Sequence, residues 1–469
     1  MQFFILFFED MWYDIGMKKR LFILTLLLVF LTGCTYQMGD GLLSLPRLPE
    51  EYVGLQKLYD EILATGATYV SAKSGSNRQS VQLADLDADG ENEVVSFFKN
   101  PDGTFSVYMH KKFDEAYYEI GKADGVGKNI RSVDYISMNA IGEQALLVTW
   151  DLEDSLQSAL SVYTIEAGAA RNVLDLQYLS YHVVDMDMDA QDDIIAVSRE
   201  SGEQVNSVSM YSFDGSECVL KGKSQLSIES DKVVNIVSGL TTSGKRAVYI
   251  DSSTLESEYV TDIIYCQPDG TLMNESIDTE SGSANVTKRH INIYSTDIDN
   301  DGIVEIPLAK MFSGYTDPLS SDSRWKINWS EIETGKIVGT SMSAFHNSLE
   351  GWFFVLPEKW DEDVSAIITS ESNVGQTTFF VPRPISDEEY SMLPDEDNSI
   401  VTIYTMSVDA ADTFRRNRDI NIIKETENAV YGYKIYENNM SDYAVTAEEV
   451  EQLLNFTKST EWSSEGLVQ

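Results

Sequence analysis

Histidine and cysteine are nearly missing from this chain of 469 residues, which has four of the first and three of the second. His110, His182, His290 and His346 lie too far apart for an H-E-x-x-H type of metal motif. Cys34, Cys218 and Cys266 are too few for a disulfide framework. Past Cys34, either one Cys218–Cys266 bridge or two buried thiols remains open. Basic residues are also scarce: 34 Lys and Arg stand against 76 Asp and Glu, a net charge of -42. Nucleic acid and anionic lipid surfaces are bound through basic patches, so this balance excludes both as partners. The chain has no P-loop, no G-x-S-x-G elbow and no dinucleotide fingerprint in a strand–helix context. The stretch "ADGVGKNI" has glycines and a lysine without the spacing. After Leu31 no apolar run is long enough to cross a bilayer.

The N-terminal region is different in kind. From Met17 it reads "MKKRLFILTLLLVFLTGCTYQMGDG": three basic residues, an apolar run from Leu21 to Leu31, then Leu31-Thr32-Gly33-Cys34. Charge, short apolar core and small residues at the end make an export signal. Its cysteine makes it resemble the bacterial lipobox, in which a diacylated Cys becomes the mature N-terminus. The resemblance implies lipidation at Cys34 and an extracytoplasmic protein tethered to the cell membrane. Glu9, Asp10 and Asp14 suit a signal badly, so Met17 is the expected start. The expected division is 1–33 signal, 34–49 tether, 50–345 a helix followed by a repeat region, and 346–469 a smaller domain.

Acidic residues are abundant, and they recur in a pattern. "VQLADLDADGENEVVSFF" carries Asp85, Asp87, Asp89, Glu91 and Glu93. "VVDMDMDAQDDIIAVS" carries Asp185, Asp187, Asp189 and Asp193, and "YSTDIDNDGIVEIPLA" carries Asp297, Asp299, Asp301 and Glu305. The steps between copies, 100 and 112 residues, suggest one altered copy in each interval. "ISMNAIGEQALLVTW" would set Ile136, Met138, Ala140 and Gln144 at the acidic positions. "SGLTTSGKRAVYID" would set Gly239, Thr241, Ser243 and Ala247 there, with Gly244 as the loop glycine. The unit is then roughly 50 to 58 residues, the length of a four-stranded propeller blade. Alternating segments such as "GTFSVYMHK", "SALSVYTIE", "SVSMYSFDG" and "VTDIIYCQPDG" supply strands. The one convincing helix before residue 400 is "EEYVGLQKLYDEILATG", with Tyr52, Leu55, Leu58, Tyr59 and Ile62 on one face and Gly66 as the stop.

Alternate acids in a tight turn suit calcium, a hard cation that takes about six to eight oxygens. Magnesium, slower to shed water, suits them less. An EF-hand would need a bidentate Glu at position 12 and flanking helices, but position 12 is Ser96, Ala196 and Leu308, inside strands. The last acid instead falls at position 9. This short strand–loop–strand version resembles the FG-GAP/VCBS repeats of calcium-binding β-propellers, from about Val81 to Leu308. The resemblance implies a mainly β fold, a β-propeller of about five blades with calcium loops. Its implied ligands are Asp85, Asp87, Asp89, Glu93, Asp185, Asp187, Asp189, Asp193, Asp297, Asp299, Asp301 and Glu305. Glu91, at position 7, would offer its backbone carbonyl. The second loop is the least regular, with Ala190 in place of glycine and an extra acid, Asp192.

From His346 the texture changes to "GWFFVLPEKW", four further strand segments and two helical ones, "DAADTFRRNRD" and "TAEEVEQLLNFTKST". A compact α+β domain is expected, whose opening string resembles the PsbP/Mog1 sandwich, with Trp352, Phe353, Phe354 and Trp360 filling its core. The whole chain, including "SGSNRQSVQLADLDADG", resembles surface lipoproteins of Gram-positive bacteria. Two roles follow as expectations. One is a non-catalytic scaffold or recognition module facing a cell-envelope protein or glycan. The other is an enzyme acting on polysaccharide in the propeller funnel.

Overall fold

The computed structural model describes residues 53–456, apart from 115, 154, 201, 216, 279, 318–323, 361, 372–373, 386–389, 417–418 and 438–441. Cys34, the export segment and the tether lie outside the described residues. The first element is helix α1 (Val53–Ala64), with Leu55 and Tyr59 buried, closed by Gly66 at φ +92°.

Strands then follow in antiparallel sheets, each wound from successive segments of the chain. The first holds β1 (Thr68–Tyr69), β2 (Val81–Ala84), β3 (Glu93–Lys99), β4 (Phe105–Phe113) and β5 (Ala116–Asp124), with β1 and β2 sharing one edge of β3. The second is β6 (Asn129–Ser137), β7 (Gln144–Asp151), β8 (Ser158–Glu166) and β9 (Ala169–Tyr178). The third is β10 (Ser180–Val184), β11 (Asp193–Ser198), β12 (Ser207–Asp214) and β13 (Glu217–Gln225). The fourth is β14 (Lys232–Leu240), β15 (Arg246–Ser253), β16 (Tyr259–Cys266) and β17 (Leu272–Asn274). The fifth opens with a single bridge, Thr296 to Glu305, and continues through β18 (Ile306–Met311), β19 (Trp325–Glu333), β20 (Lys336–Asn347) and β21 (Trp352–Val355). Four-stranded meanders repeated in this way are the blades of a β-propeller.

The central strands of each blade read as near-continuous apolar runs because both of their faces are covered. With a side-chain period of two, alternate residues enter different cores. Leu146, Val148 and Trp150 join Val95, Phe97 and Val107 of the first blade. Their neighbours Ala145 and Leu147 join Ile194 and Ala196 of the third. Ile195 and Val197 meet Val248 and Ile250 in the next layer, and Ala247 and Tyr249 meet Val304 and Ile306 in the one after. The first strands are tied by polar side chains instead. Tyr135 Oη donates to Gln82 (2.8 Å), Tyr181 Oη to Asp134 (3.0 Å), and His182 Nε2 lies 3.1 Å from Ser238 Oγ.

The remaining strands form a second sheet system with two helices. β22 (Ser365–Glu371), β23 (Val374–Phe380), β26 (Ser399–Ser407), β28 (Ala429–Ile435) and β27 (Asn421–Glu425) make one sheet in that order. A short ribbon of β24 (Arg383–Pro384) and β25 (Tyr390–Ser391) stands apart. Helices α2 (Val408–Arg415) and α3 (Ala447–Leu453) complete this smaller α+β part. Thr446 caps α3 in a full capping box with Glu449. The helical run expected through residue 460 stops at Leu453, and β29 (Leu454–Phe456) pairs with β21. Leu454 is thereby buried in the same core as Trp352, Phe354 and Trp360, and that burial outweighs helix propensity. Phe353 lies against His346 instead, ring centroids 5.1 Å apart. β20 runs through position 345/346, where the sequence changes texture.

The two blades that lack the acidic motif have shorter first loops than their alignment implies. Ser137 pairs with Gln144 and Gly239 with Ala247, whereas Ala84 pairs with Glu93 across a turn two residues longer than the one after Ser137. Ile136 accordingly lies inside β6, buried, and not in a loop.

Candidate functional site

Each acidic loop connects the first and second strands of a blade, and all three share one backbone. Positions 4 and 6 are left-handed in every copy: Ala88 and Gly90, Met188 and Ala190, Asn300 and Gly302. Position 1 then accepts from the amides of positions 5 and 6. Asp85 takes Asp89 N at 3.2 Å and Gly90 N at 2.9 Å. Asp185 takes Asp189 N and Ala190 N, both at 3.0 Å, and Asp297 takes Asp301 N at 3.1 Å and Gly302 N at 2.9 Å. Ala190 therefore follows the path of its glycine counterparts.

The acid at position 9 opens the second strand and points back into the loop. Glu93, Asp193 and Glu305 are all fully or almost fully buried. Each accepts from the amide of position 2: Leu86 N at 2.8 Å, Met186 N at 2.8 Å and Ile298 N at 3.0 Å. One oxygen from each of Asp85, Asp87 and Glu93 can be chosen so that all lie within 4.8 Å of one another. The same holds for Asp185, Asp187 and Asp193, and for Asp297, Asp299 and Glu305. Oxygens bound to one calcium at about 2.3–2.6 Å are separated by distances of this size. Asp89, Asp189 and Asp301 fall outside those groups. Each accepts from the amide of position 7, at 2.9, 2.9 and 2.8 Å, and so shapes the turn.

Burial sets the electrostatics. It raises the Asp193 carboxyl to about 6 and the Glu305 carboxyl to about 7, with the neighbouring loop aspartates adding to the shift. It also raises Asp187, which stands beside Asp189 and Asp185. Such clustered carboxylates are the donor set a hard divalent cation neutralises. The second and third loops fit that role, and among the described residues no Lys or Arg forms an ion pair with any of the eight acids Asp185, Asp187, Asp189, Asp193, Asp297, Asp299, Asp301 and Glu305. The first loop does not fit in the same way. Lys111 Nζ, from β4, lies 2.5 Å from Asp87 Oδ2, 2.8 Å from Asp89 Oδ2 and 2.9 Å from Glu93 Oε1.

Asp192, the extra acid of the second loop, is not a candidate ligand. Its Oδ2 accepts from Ser137 N at 2.7 Å and its own amide donates to Ser137 O at 2.9 Å, linking two blades. The other acidic loops make similar links: Gln144 N donates to Leu86 O at 2.9 Å, and Leu240 N to Gly302 O at 2.8 Å. Lys111, Ser212 and Ser341 are contacts that sequence reading misses, because strand register alone brings them to the loops. Ser212 Oγ donates to Asp193 Oδ1, and Ser341 Oγ to Glu305 Oε1 at 2.9 Å.

The histidines are separate. Burial holds His346 down at about 3 and His110 at about 4, and His290 Nδ1 lies 3.2 Å from Glu258. Cys218 and Cys266 are both free thiols.

No protein-family profile matches the chain, and no curated protein matches it in sequence. Distant structural likenesses exist. The exotype rhamnogalacturonan lyase YesX is 9% identical over 82% of this chain and 79% of its own, with a TM-score of 0.25. A rhamnogalacturonan lyase from Bacillus licheniformis is 12% identical over 86% and 77%, TM-score 0.26. The periplasmic gluconolactonase PpgL of Pseudomonas aeruginosa is 12% identical over 70% and 94%, TM-score 0.25. Likeness at this distance says nothing about activity.

Proposed function

We propose that this protein is a calcium-stabilised, non-catalytic β-propeller of the FG-GAP/VCBS type, held outside the cytoplasm by lipid on Cys34. The observation that carries this reading is the repetition of one loop backbone with three convergent carboxylates at positions 1, 3 and 9. Calcium in such a loop joins the first strand of a blade to its second, and the loop's hydrogen bonds pass that order to the neighbouring blade. The first strands, where a funnel site would lie, use Tyr135, Tyr181 and His182 to bind one another. That arrangement favours a scaffold or recognition module, with a cell-envelope protein or glycan as its partner, over a polysaccharide-cleaving enzyme.

Two measurements test it. Scanning calorimetry of the full chain in calcium against chelator is expected to raise Tm, since a ligand at 100 times its Kd adds about 2.7 kcal/mol. An unchanged Tm rejects the calcium reading. Cys34→Ser is expected to move the protein from the membrane pellet to the soluble fraction of its native cell. Continued sedimentation with the membrane rejects the anchor.

A further inference from the structure

One strand position is common to the three acidic blades and carries a different charge in each. In the first blade Val94 pairs with His110, which sets Lys111 across from Glu93. In the third, Ile194 pairs with Tyr211, which sets Ser212 across from Asp193. In the fifth, Ile306 pairs with Ser330, which sets Glu331 across from Glu305. The same repeat position thus holds a cation, a hydroxyl and a carboxylate.

The cation is well housed. The Lys111 side chain is only 7% exposed, and its ammonium reaches Asp87, Asp89 and Glu93 at once. Two of those carboxylates, Asp87 and Glu93, are also two of the three that would share a metal ion in this loop. An ion bound to the same oxygens at about 2.3–2.6 Å would meet the ammonium at a separation where like charges repel strongly. For it to enter, Lys111 would have to give up three ion pairs at a nearly closed position.

We propose that Lys111 is a tethered cation that takes the place of calcium in the first loop, so that only the second and third loops bind the metal. This rests on the calcium reading given above. The first loop then keeps its backbone and its link to the second blade at any calcium concentration, while the other two answer to it.

The test is the number of calcium ions bound per full chain, by isothermal titration with calcium chloride. The unaltered protein is expected to bind two. The double variant Asp185→Ala, Asp297→Ala is expected to bind none, and adding Lys111→Met to it should restore one. Three ions in the unaltered chain, or one remaining in the double variant, overturns the role of Lys111 while leaving the calcium reading in place. No ion in the unaltered chain or in Lys111→Met overturns the calcium reading itself. Should the triple variant fail to fold, the counts in the unaltered chain and the double variant still decide.

Discussion

Arg289 and Asp251 form an ion pair with no side-chain surface exposed on either partner, Nη2 to Oδ1 at 2.8 Å. Arg289 lies between the fourth and fifth blades, on the segment that leads to the third acidic loop, and Asp251 lies on β15. The pair is fully furnished. Arg289 also donates to Thr261 Oγ1, Thr287 O and Ile293 O, and Asp251 accepts from Ser295 N, Ser295 Oγ and Asn235 Nδ2.

Removing one partner leaves the other charge buried and uncompensated. Arg289→Met is expected to lower stability by about 3–5 kcal/mol. In urea unfolding, Asp251→Asn combined with Arg289→Met should lose clearly less than the two single losses added together. Strict additivity would mean that the two side chains are not coupled.

Ala190 holds φ +69° at a position where Gly90 and Gly302 stand at +90° and +91°. An L side chain in this region is strained by about 1–2 kcal/mol, and glycine gives part of that back through its greater freedom in the unfolded chain. Ala190→Gly should therefore stabilise the protein by about 0.5–1 kcal/mol. Gly302→Ala should destabilise it by a similar amount. A lower urea midpoint for Ala190→Gly would contradict the strain argument.

Asp262 is completely buried, and burial raises its carboxyl to about 6 from 3.8 despite hydrogen bonds from Asn274 and Ser227. The folded chain therefore binds this proton more tightly than the unfolded chain does. Its contribution is complete below about pH 4 and is lost as pH rises through about 6, a change of about 3 kcal/mol at 1.36 kcal/mol per pKa unit. Stability curves of Asp262→Asn and the unaltered protein should diverge across that window, the variant falling less. Parallel curves would show that Asp262 does not titrate there.

Cys218 is buried in the core between the second and third blades, where burial pushes its thiol to about 12. Cys266 is half-buried and packs in the next core. Native alkylation near pH 8 should label Cys266 well ahead of Cys218, and the intact mass should show both thiols reduced. A mass lower by two hydrogens would mean a bridge that the structure does not contain.

The acidic loops were legible because their chemistry is local. Asp at position 1 closes the turn on amides four and five residues ahead, so the D-x-D-x-D spacing shows itself without any long-range contact. The same holds for the capping box at Thr446 and for the stop at Gly66. The two blades without the acidic motif were legible as repeats but not in register. A turn shortened by two residues leaves no mark until Ser137 is seen opposite Gln144. Nor does Leu454 announce a strand: its segment reads as helix, and it turns extended because Trp352 and Phe354 offer a sheet edge and a core.

By itself the sequence determined that this chain is a mainly β repeat, where its carboxylates recur, and that no nucleotide loop or serine elbow lies along it. Period-two alternation, loop spacing and charge are properties of neighbouring residues. What each loop does with its charge was decided only in three dimensions. Antiparallel pairing brings residue 111, 212 or 331 across from the last acid of its loop, at sequence separations from 18 to 26 residues. That register sets a lysine ammonium among the carboxylates of one loop and, among the described residues, brings no lysine or arginine into ion-pair contact with those of the other two.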